Sequence, residues 1–155
     1  MKNQNRYKIE QILKELKINY DFLDLEDDDI NYSITFNTSG SLKKLNSINI
    51  NGILYLHHND FSLNFIIPNI YVFDKSKENM MVYDVLNATN CEISYGKFLI
   101  YKSEDKREVY YSSSINCGNE YELLNTSLVK TQLDMLTNSL SKLLPRIIHN
   151  DKSNE

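Results

Sequence analysis

The sequence predicts an α+β fold in which helices cover an antiparallel sheet, with the element order α-β-β-β-α-β-β-α. Apolar residues recur at helical spacing near the start, the middle and the end of the chain. Between these segments they alternate with polar residues, which is typical of half-buried strands. The strands follow one another in groups, and this favours antiparallel pairing over a doubly wound parallel sheet. We expect residues 1–148 to form a single domain and residues 149–155 to be a flexible tail.

The charge and the composition of the chain limit the functional classes that it can belong to. With 17 Lys and Arg against 21 Asp and Glu, the chain is mildly acidic, whereas a dedicated nucleic-acid binder needs a basic surface. No apolar run approaches the roughly 20 residues that span a bilayer, and the first ten residues lack an apolar signal segment. We therefore expect a cytoplasmic protein with neither nucleic acid nor membrane as a partner. Its two cysteines are expected to be reduced and buried.

The first helix is predicted over Asn5–Ile18, followed by an extended segment, Tyr20–Leu25. Four apolar residues share one face of that helix: Ile9, Ile12, Leu13 and Leu16. An acidic run, Glu26–Asp29, comes next. Its consecutive carboxylates lack the alternating ligands and the central glycine of a calcium-binding loop. We interpret the run as a solvent-exposed turn.

The first two strands are separated by a predicted turn. Residues Ile30–Asn37 alternate between apolar and polar side chains, and Thr38–Ser41 has the composition of a turn. The second strand runs from Ile48 to His57 and contains Asn51-Gly52 at its middle. Asn-Gly is also a strong hairpin signal, so this stretch is either one bulged strand or a tight hairpin. We favour the bulged strand, because the part after the glycine is short.

A proline interrupts the third strand. The alternation over Leu63–Ile67 stops at Pro68, which lacks the backbone donor that a central strand needs, and the chain beyond it is expected to resume as an edge strand. A second helix is predicted over Lys77–Asn90, capped by Asp74 or Ser76.

The last three elements are a hairpin and a long helix. Two strands flank the polar turn Ser103–Lys106, and Gly96 before them marks a bulge or a close approach. Asn119 is followed three residues later by Glu122, an arrangement related to the capping box. We expect a long amphipathic helix from this point, and we expect Pro145 to stop or kink it.

The order of four short motifs resembles the YbjN family: Leu86-Asn87, Gly96-Lys97-Phe98, Val109-Tyr110-Tyr111 and a final helix that closes at Leu143-Leu144-Pro145. Members of that family are described as bacterial sensory transduction regulators with a fold like that of type III secretion chaperones. The motifs cover about residues 80–147, and the order of the preceding elements agrees. The resemblance implies a bacterial, non-enzymatic binding or regulatory module that is able to dimerise. It carries over no catalytic residue and no cofactor.

Few residues are candidates for catalysis or metal binding. His57 and His58 are adjacent, so in a strand their side chains point to opposite faces and cannot hold one ion together. Zinc would require three or four converging ligands. Cys117 lies just before the final helix, but a nucleophile also needs a base, and no local motif supplies one. We predict no catalytic residue, no metal site and no cofactor.

The tyrosines are the candidate binding residues. Of 11 in the chain, four lie in or beside the C-terminal hairpin: Tyr95, Tyr101, Tyr110 and Tyr111. Tyrosine is favoured at protein interfaces because it combines a large apolar ring with a polar tip. The same residue also packs well at half-buried strand positions, and this alternative stays open. The predicted partner is another protein or a second copy of the chain, bound through the sheet face or through a groove beside the final helix.

The alternative function is that of a small acidic inhibitor or immunity protein. Such domains can cover a basic active site, and here Glu26–Asp29 and Glu104-Asp105 would supply the charges. A thiol enzyme that uses Cys117 is the third hypothesis.

Overall fold

The computed structural model describes residues 2–37 and 49–153, with side chains up to residue 147. The predicted turn at Thr38–Ser41 lies outside these residues. The elements are α1 (Lys2–Glu15), β1 (Asn19–Leu23), β2 (Ile30–Asn37), β3 (Asn49–His57), β4 (Ser62–Asp74), α2 (Met80–Glu92), β5 (Lys97–Lys102), β6 (Lys106–Asn116) and α3 (Thr126–Ser153). Two short 3-10 helices, Lys75–Lys77 and Asn119–Tyr121, precede α2 and α3.

The six strands form one antiparallel sheet with the order β1-β2-β3-β4-β6-β5. The chain leaves the sheet after β4, passes through α2 and returns as β5 beyond β6, so β1 and β5 are the two edge strands. The predicted α+β class with an antiparallel sheet is confirmed.

One face of the sheet, here called the inner face, packs against all three helices. Alternate strand residues and the apolar stripes of the helices form a single core cluster. Its fully buried members include Ile9, Leu13, Tyr32, Leu54, Leu63, Phe65, Tyr111, Leu136 and Leu143. Removing this surface from water is the main favourable contribution to folding. Strand residues of the opposite parity form the outer face.

The sheet has one strand more than the sequence predicted. The segment expected to be merely extended, Tyr20–Leu25, contains β1, which pairs with β2 from Asn19 opposite Thr35 to Leu23 opposite Asn31. β1 has only five residues, so its alternation is too short to separate a strand from an extended linker.

Asn51-Gly52 lies inside one continuous strand, as predicted, but the strand has no bulge there. The two residues pair regularly with Thr35 and Ile34 of β2. A Cβ at position 52 would overlap the side chain of Ile67 on β4. Gly52 therefore leaves room for the side chain of Ile67, and the chain does not turn there.

β4 continues through Pro68 with an irregularity. Its register against β6 shifts between Ile67 and Tyr71, and Asn69 has a positive φ of 54°. β4 pairs with β3 only as far as Ile66, so the residues beyond the shift have β6 as their one strand neighbour. The predicted edge character after Pro68 is confirmed, although the segment belongs to the same strand.

The helix caps differ from the predicted ones. Asn79 caps α2, because its Oδ1 accepts the backbone N–H of Val82 at 3.3 Å. Asn125 caps α3 in the same way, accepting the N–H of Leu128 at 2.8 Å. The caps predicted at Asp74 or Ser76 and at Asn119 were wrong, since Asp74 precedes a 3-10 helix and Ser76 and Asn119 lie inside the 3-10 helices.

Pro145 does not end the final helix. The backbone of α3 is helical on both sides of it and reaches Ser153. Pro145 is exposed, so the carbonyl that it leaves without an intrahelical donor can be hydrated. The flexible tail expected for residues 149–155 and the domain limit at residue 148 stay predictions. In the described part of the chain, no helix combines the length and the apolar character that crossing a bilayer requires.

Candidate functional site

The outer face of the sheet carries a cluster of exposed apolar side chains on three neighbouring strands. Leu99 of β5 lies opposite Tyr110 of β6, and in the next row Tyr101 and Val72 flank Glu108. Leu99 is 41% exposed, Val72 46% and Tyr101 60%. Tyr110 is half-buried. We call these four residues, Val72, Leu99, Tyr101 and Tyr110, the outer-face patch.

The outer-face patch is distinct from the core. Its residues alternate along the strands with Phe98, Ile100 and Val109, which pack inwards. Towards the centre of the sheet the apolar surface continues through the half-buried pair Ile53 and Ile66. Contiguous exposed apolar surface of this kind typically marks an interaction site.

Charged residues lie around the outer-face patch and, at Glu108, within it. Lys106 Nζ lies 3.0 Å from Asp74 Oδ1, and this hydrogen bond lowers the pKa of Asp74. Glu108 Oε1 accepts the backbone N–H of Asn69 at 3.0 Å, which anchors the irregular part of β4. Lys97 is exposed next to the patch on β5. Lys97, Asp74 and Lys106 form the polar rim that is usual at a protein interface. Glu108 lies inside the patch, between Val72 and Tyr101.

The structure brings two of the four predicted tyrosines together. Tyr101 and Tyr110 both lie on the outer face. Tyr111 points the other way, because consecutive strand residues face opposite sides of a sheet. It is fully buried, and its ring packs edge-to-face on Phe98 with 5.3 Å between the ring centroids. Tyr111 therefore belongs to the core and offers no surface to a partner.

Tyr95 also points towards the interior. Its hydroxyl group is buried and has no hydrogen-bond partner among the described residues. Burial, with a smaller contribution from Tyr111, raises the pKa of Tyr95 to about 12. The hydroxyl of Tyr111 donates to the carbonyl oxygen of Tyr95 at 3.2 Å, so this contact fixes the chain just before β5.

Gly96 makes the close approach that the sequence predicted. It has a φ of +73°, and a Cβ would collide with the ring of Tyr111. Only glycine combines that conformation with that contact.

Sequence reasoning did not select Val72 and Leu99. The apolar run Phe98–Tyr101 offers two sets of alternate residues, and both sets are apolar. Nothing local tells which set faces the helices. The positions of Phe98 and Tyr111 relative to Gly96 indicate which residues face the helices. This is apparent only when the helices have been placed on the sheet.

The acidic run is partly engaged in structural contacts. Asp29 Oδ1 accepts the backbone N–H of His58 at 2.9 Å and lies 2.7 Å from Nδ1 of its ring. Burial acts to raise the pKa of Asp29, but these hydrogen bonds outweigh it and the pKa is lowered. Asp27 Oδ1 accepts the side-chain amide of Asn31 at 3.0 Å. Two of the four carboxylates thus hold the turn before β2.

The histidines at the end of β3 lie next to the acidic run. His57 Nδ1 lies 3.1 Å from Asp60 Oδ1, and the rings of His57 and His58 stack with their centroids 5.5 Å apart. Within residues 2–37 and 49–147, no three His, Cys, Asp or Glu side chains are grouped to hold a metal ion.

The two cysteines are free, as expected, but only Cys117 is buried, whereas Cys91 is exposed. Cys117 Sγ donates weakly to the carbonyl oxygen of Ile115 at 3.7 Å. Burial raises the pKa of Cys117, which opposes formation of a thiolate. This environment does not suit a nucleophile.

The far end of the outer face is polar. A shallow pocket of about 290 Å³ lies over β1 and β2, lined by Ile18, Asn19, Tyr20, Asp21, Ser33 and Thr35. Four of these are outer-face residues with small polar side chains. The exposed large apolar side chains of the described strands, Val72, Leu99 and Tyr101, lie at the opposite end of the sheet, on β4 and β5.

No protein-family model matches the chain, and no curated protein matches it in sequence. Its structure is similar to that of YbjN from E. coli, a proposed transcription regulator, with a TM-score of 0.57. The superposition covers 92% of this chain and 90% of YbjN, at 11% sequence identity. At this identity the likeness shows the fold. The resemblance to YbjN that the sequence motifs predicted is confirmed at that level.

Proposed function

We propose that the chain is a non-enzymatic protein-binding or regulatory module, and that it binds its partner through the outer-face patch. The observation that carries the proposal is that Val72, Leu99 and Tyr101 are all exposed on one sheet face that bears no described helix, on the two strands that flank β6. Covering this surface would remove apolar area from water, which drives association. Tyr101 and Tyr110 would also supply hydroxyl groups at the rim of the contact.

The partner in this proposal is a segment of another protein or a second copy of the chain. Similarity of fold to a proposed regulator is consistent with a regulatory role and names no partner. We place the protein in the cytoplasm, because an exposed free thiol such as Cys91 persists in a reducing compartment.

The test compares two exposed tyrosines on different surfaces. Tyr101 is 60% exposed on the outer face, and Tyr7 is 68% exposed on α1. We expect Tyr101→Ala combined with Leu99→Ser to abolish association, while Tyr7→Ala retains it. Light scattering over a concentration series measures self-association, and binding to the immobilised chain measures capture of a partner. Equal retention by both variants would contradict the proposal.

The acidic inhibitor is less well supported. Asp27 and Asp29 are bonded to neighbouring residues, so only part of the run Glu26–Asp29 is available to a basic partner. If Asp28→Asn combined with Glu26→Gln abolishes binding and the Tyr101 variant does not, the inhibitor function is the better one.

A further inference from the structure

The β5 strand lies at an edge of the sheet, and part of this edge is hydrogen-bonded to a side chain of the same chain. An edge strand presents unpaired backbone N–H and C=O groups that can accept another extended chain. β5 is well suited to such pairing, because its apolar residues Phe98–Tyr101 form a short run between two lysines. Any strand that adds here must bond to the groups that point away from β6.

Asn90 occupies the place of that additional strand. The backbone N–H of Phe98 donates to Asn90 Oδ1 at 2.8 Å, and Asn90 Nδ2 donates to the carbonyl oxygen of Phe98 at 2.9 Å. A primary amide offers the donor and the acceptor that a peptide group of a neighbouring strand would offer. Because both groups of Phe98 bond away from β6, alternation places the corresponding groups of Ile100 and Lys102 on the same open side.

The end of α2 is anchored so that Asn90 is held in position. Thr89 is buried, and its Oγ1 accepts from Arg146 Nη1 at 2.9 Å. Arg146 Nη2 also donates to both carboxylate oxygens of Glu92 at 2.7 Å. Lys142 Nζ donates to the carbonyl oxygen of Glu92 at 3.0 Å. Two cations of α3 thus fix the last turn of α2 on either side of Asn90.

We propose that Asn90 is a sheet-edge cap that prevents a second copy of this chain from pairing with β5. Two bare β5 edges would pair antiparallel about a two-fold axis at Ile100. Phe98 would then lie opposite Lys102 of the partner subunit, and about six backbone hydrogen bonds would form. With both Phe98 residues capped, about two of these bonds remain. In a shifted register that needs no hydrogen bond from Phe98, the Phe98 residue lies opposite the polar turn, Ser103–Lys106, of the other copy.

A second copy of the chain is the partner that would pair with a bare β5 edge. A second copy always offers the same alternating strand, with identical geometry and at the concentration of the protein itself. The lysines at the two ends of β5 add repulsion only when the strands pair in the register that places them opposite each other, whereas the Ile100-centred register does not. The cap therefore blocks the register with the most backbone hydrogen bonds among those that the lysines leave open. This inference is independent of the outer-face patch, which lies on the sheet face.

The unchanged protein provides the first test. Amide hydrogen exchange measured by NMR should show a protected Phe98 amide, while the amides of Ile100 and Lys102 exchange rapidly. This alternation along one strand is the signature of a cap on a single residue. If the Phe98 amide exchanges as rapidly as that of Ile100, the proposal is overturned without any variant.

The second test removes the cap. We expect Asn90→Ala to raise the weight-average mass towards twice that of the unchanged chain as concentration increases, and the amide of Ile100 to become protected in the associated form. Asn87→Ala is the matched control, because Asn87 is exposed on the same helix and gains the same helix propensity. It should leave the mass unchanged. Far-UV circular dichroism and the Tm establish that both variants are folded.

A third pair of variants separates the edge from the face. Adding Leu99→Lys to Asn90→Ala places a charge both in the edge strand and in the outer-face patch, and should restore the original mass. Adding Val72→Lys charges the outer face away from the edge and should leave the association intact. If Asn90→Ala is folded and keeps the mass of the unchanged chain, the cap does not have the role proposed. The same holds if adding Val72→Lys to Asn90→Ala abolishes the association while adding Leu99→Lys does not.

Discussion

Arg107 Nε donates to Glu78 Oε2 over 2.9 Å, and this ion pair joins the β5–β6 hairpin to the segment before α2. Arg107 is only 7% exposed. Its Nη1 also donates to the carbonyl oxygens of Ser103 and Lys106, and the hydroxyl of Tyr83 donates to the other carboxylate oxygen of Glu78. The guanidinium of Arg107 thus makes three hydrogen bonds, one of them to a carboxylate, and burial of a charge is tolerated when the charge is paired in this way.

Replacing Arg107 should destabilise the protein. Arg107→Ala removes one donor from the carboxylate of Glu78 and one from each turn carbonyl, at a buried site, and we expect the Tm to fall by about 5 °C or more. Lys102→Ala is the control, because Lys102 Nζ is exposed and lies 3.6 Å from the same carboxylate. An exposed pair of this kind contributes little, so its Tm should change by no more than about 2 °C. If Arg107→Ala and Lys102→Ala lower the Tm by the same amount, the burial of Arg107 does not explain the loss of stability.

Stability should decline in acid through Asp29. Burial acts to raise the pKa of this carboxyl, but the hydrogen bonds from His58 lower it below the ordinary value of 3.8. A folded pKa below the unfolded one stabilises the protein above the unfolded pKa, and this contribution is lost as the pH falls through the folded pKa. We expect the Tm to fall as the pH drops below about 4, and to fall less steeply in Asp29→Asn. Asp28→Asn should keep the original slope, and a slope unchanged in Asp29→Asn would contradict this assignment.

Gly96 should not tolerate a side chain. Gly96→Ala combines a φ of +73° with a collision against the ring of Tyr111, so we expect a loss of about 2 kcal/mol or more in the free energy of unfolding. Urea denaturation measures it. A loss below about 0.5 kcal/mol would mean that the chain before β5 moves away from Tyr111 at little cost.

The tyrosines of the hairpin should separate into two classes. Tyr111→Ala removes a buried ring and should cost about 3–5 kcal/mol of stability. Tyr101→Ala removes an exposed ring and should change the free energy of unfolding by less than about 0.5 kcal/mol while it weakens association. Chemical denaturation and a binding assay on the same two proteins make the comparison. If Tyr101→Ala is as destabilising as Tyr111→Ala, the outer face is covered in the folded chain.

The class of the fold could be predicted from periodicity alone, because strands and helices of ordinary length show their period clearly. The short β1 and the helix caps at Asn79 and Asn125 could not. Each predicted cap was a residue of suitable type, but it lies in or before a 3-10 helix and not at the start of the α-helix. The choice of cap depends on where the chain leaves the sheet, and that is set by distant packing.

The candidate site was predicted in part. Tyr101 and Tyr110 were selected by residue type, and residue type does not show which way a side chain points. Tyr111 was selected by the same argument and is in the core. The contact between Asn90 and Phe98 joins residues that local patterns assign to different elements, so no helix or strand period reveals it.

The strand order has a consequence for how the chain folds. Every pair of neighbouring strands in the order β1-β2-β3-β4-β6-β5 is consecutive along the chain except β4 and β6. The four-strand meander and the β5–β6 hairpin can therefore each form by closing short loops, whereas joining them requires closure of the segment between Asp74 and Lys106. Non-local pairing of this kind is the slow step in forming a sheet. Residues along the β4–β6 seam, such as Phe65 and Ile115, should control the folding rate more strongly than residues within either half.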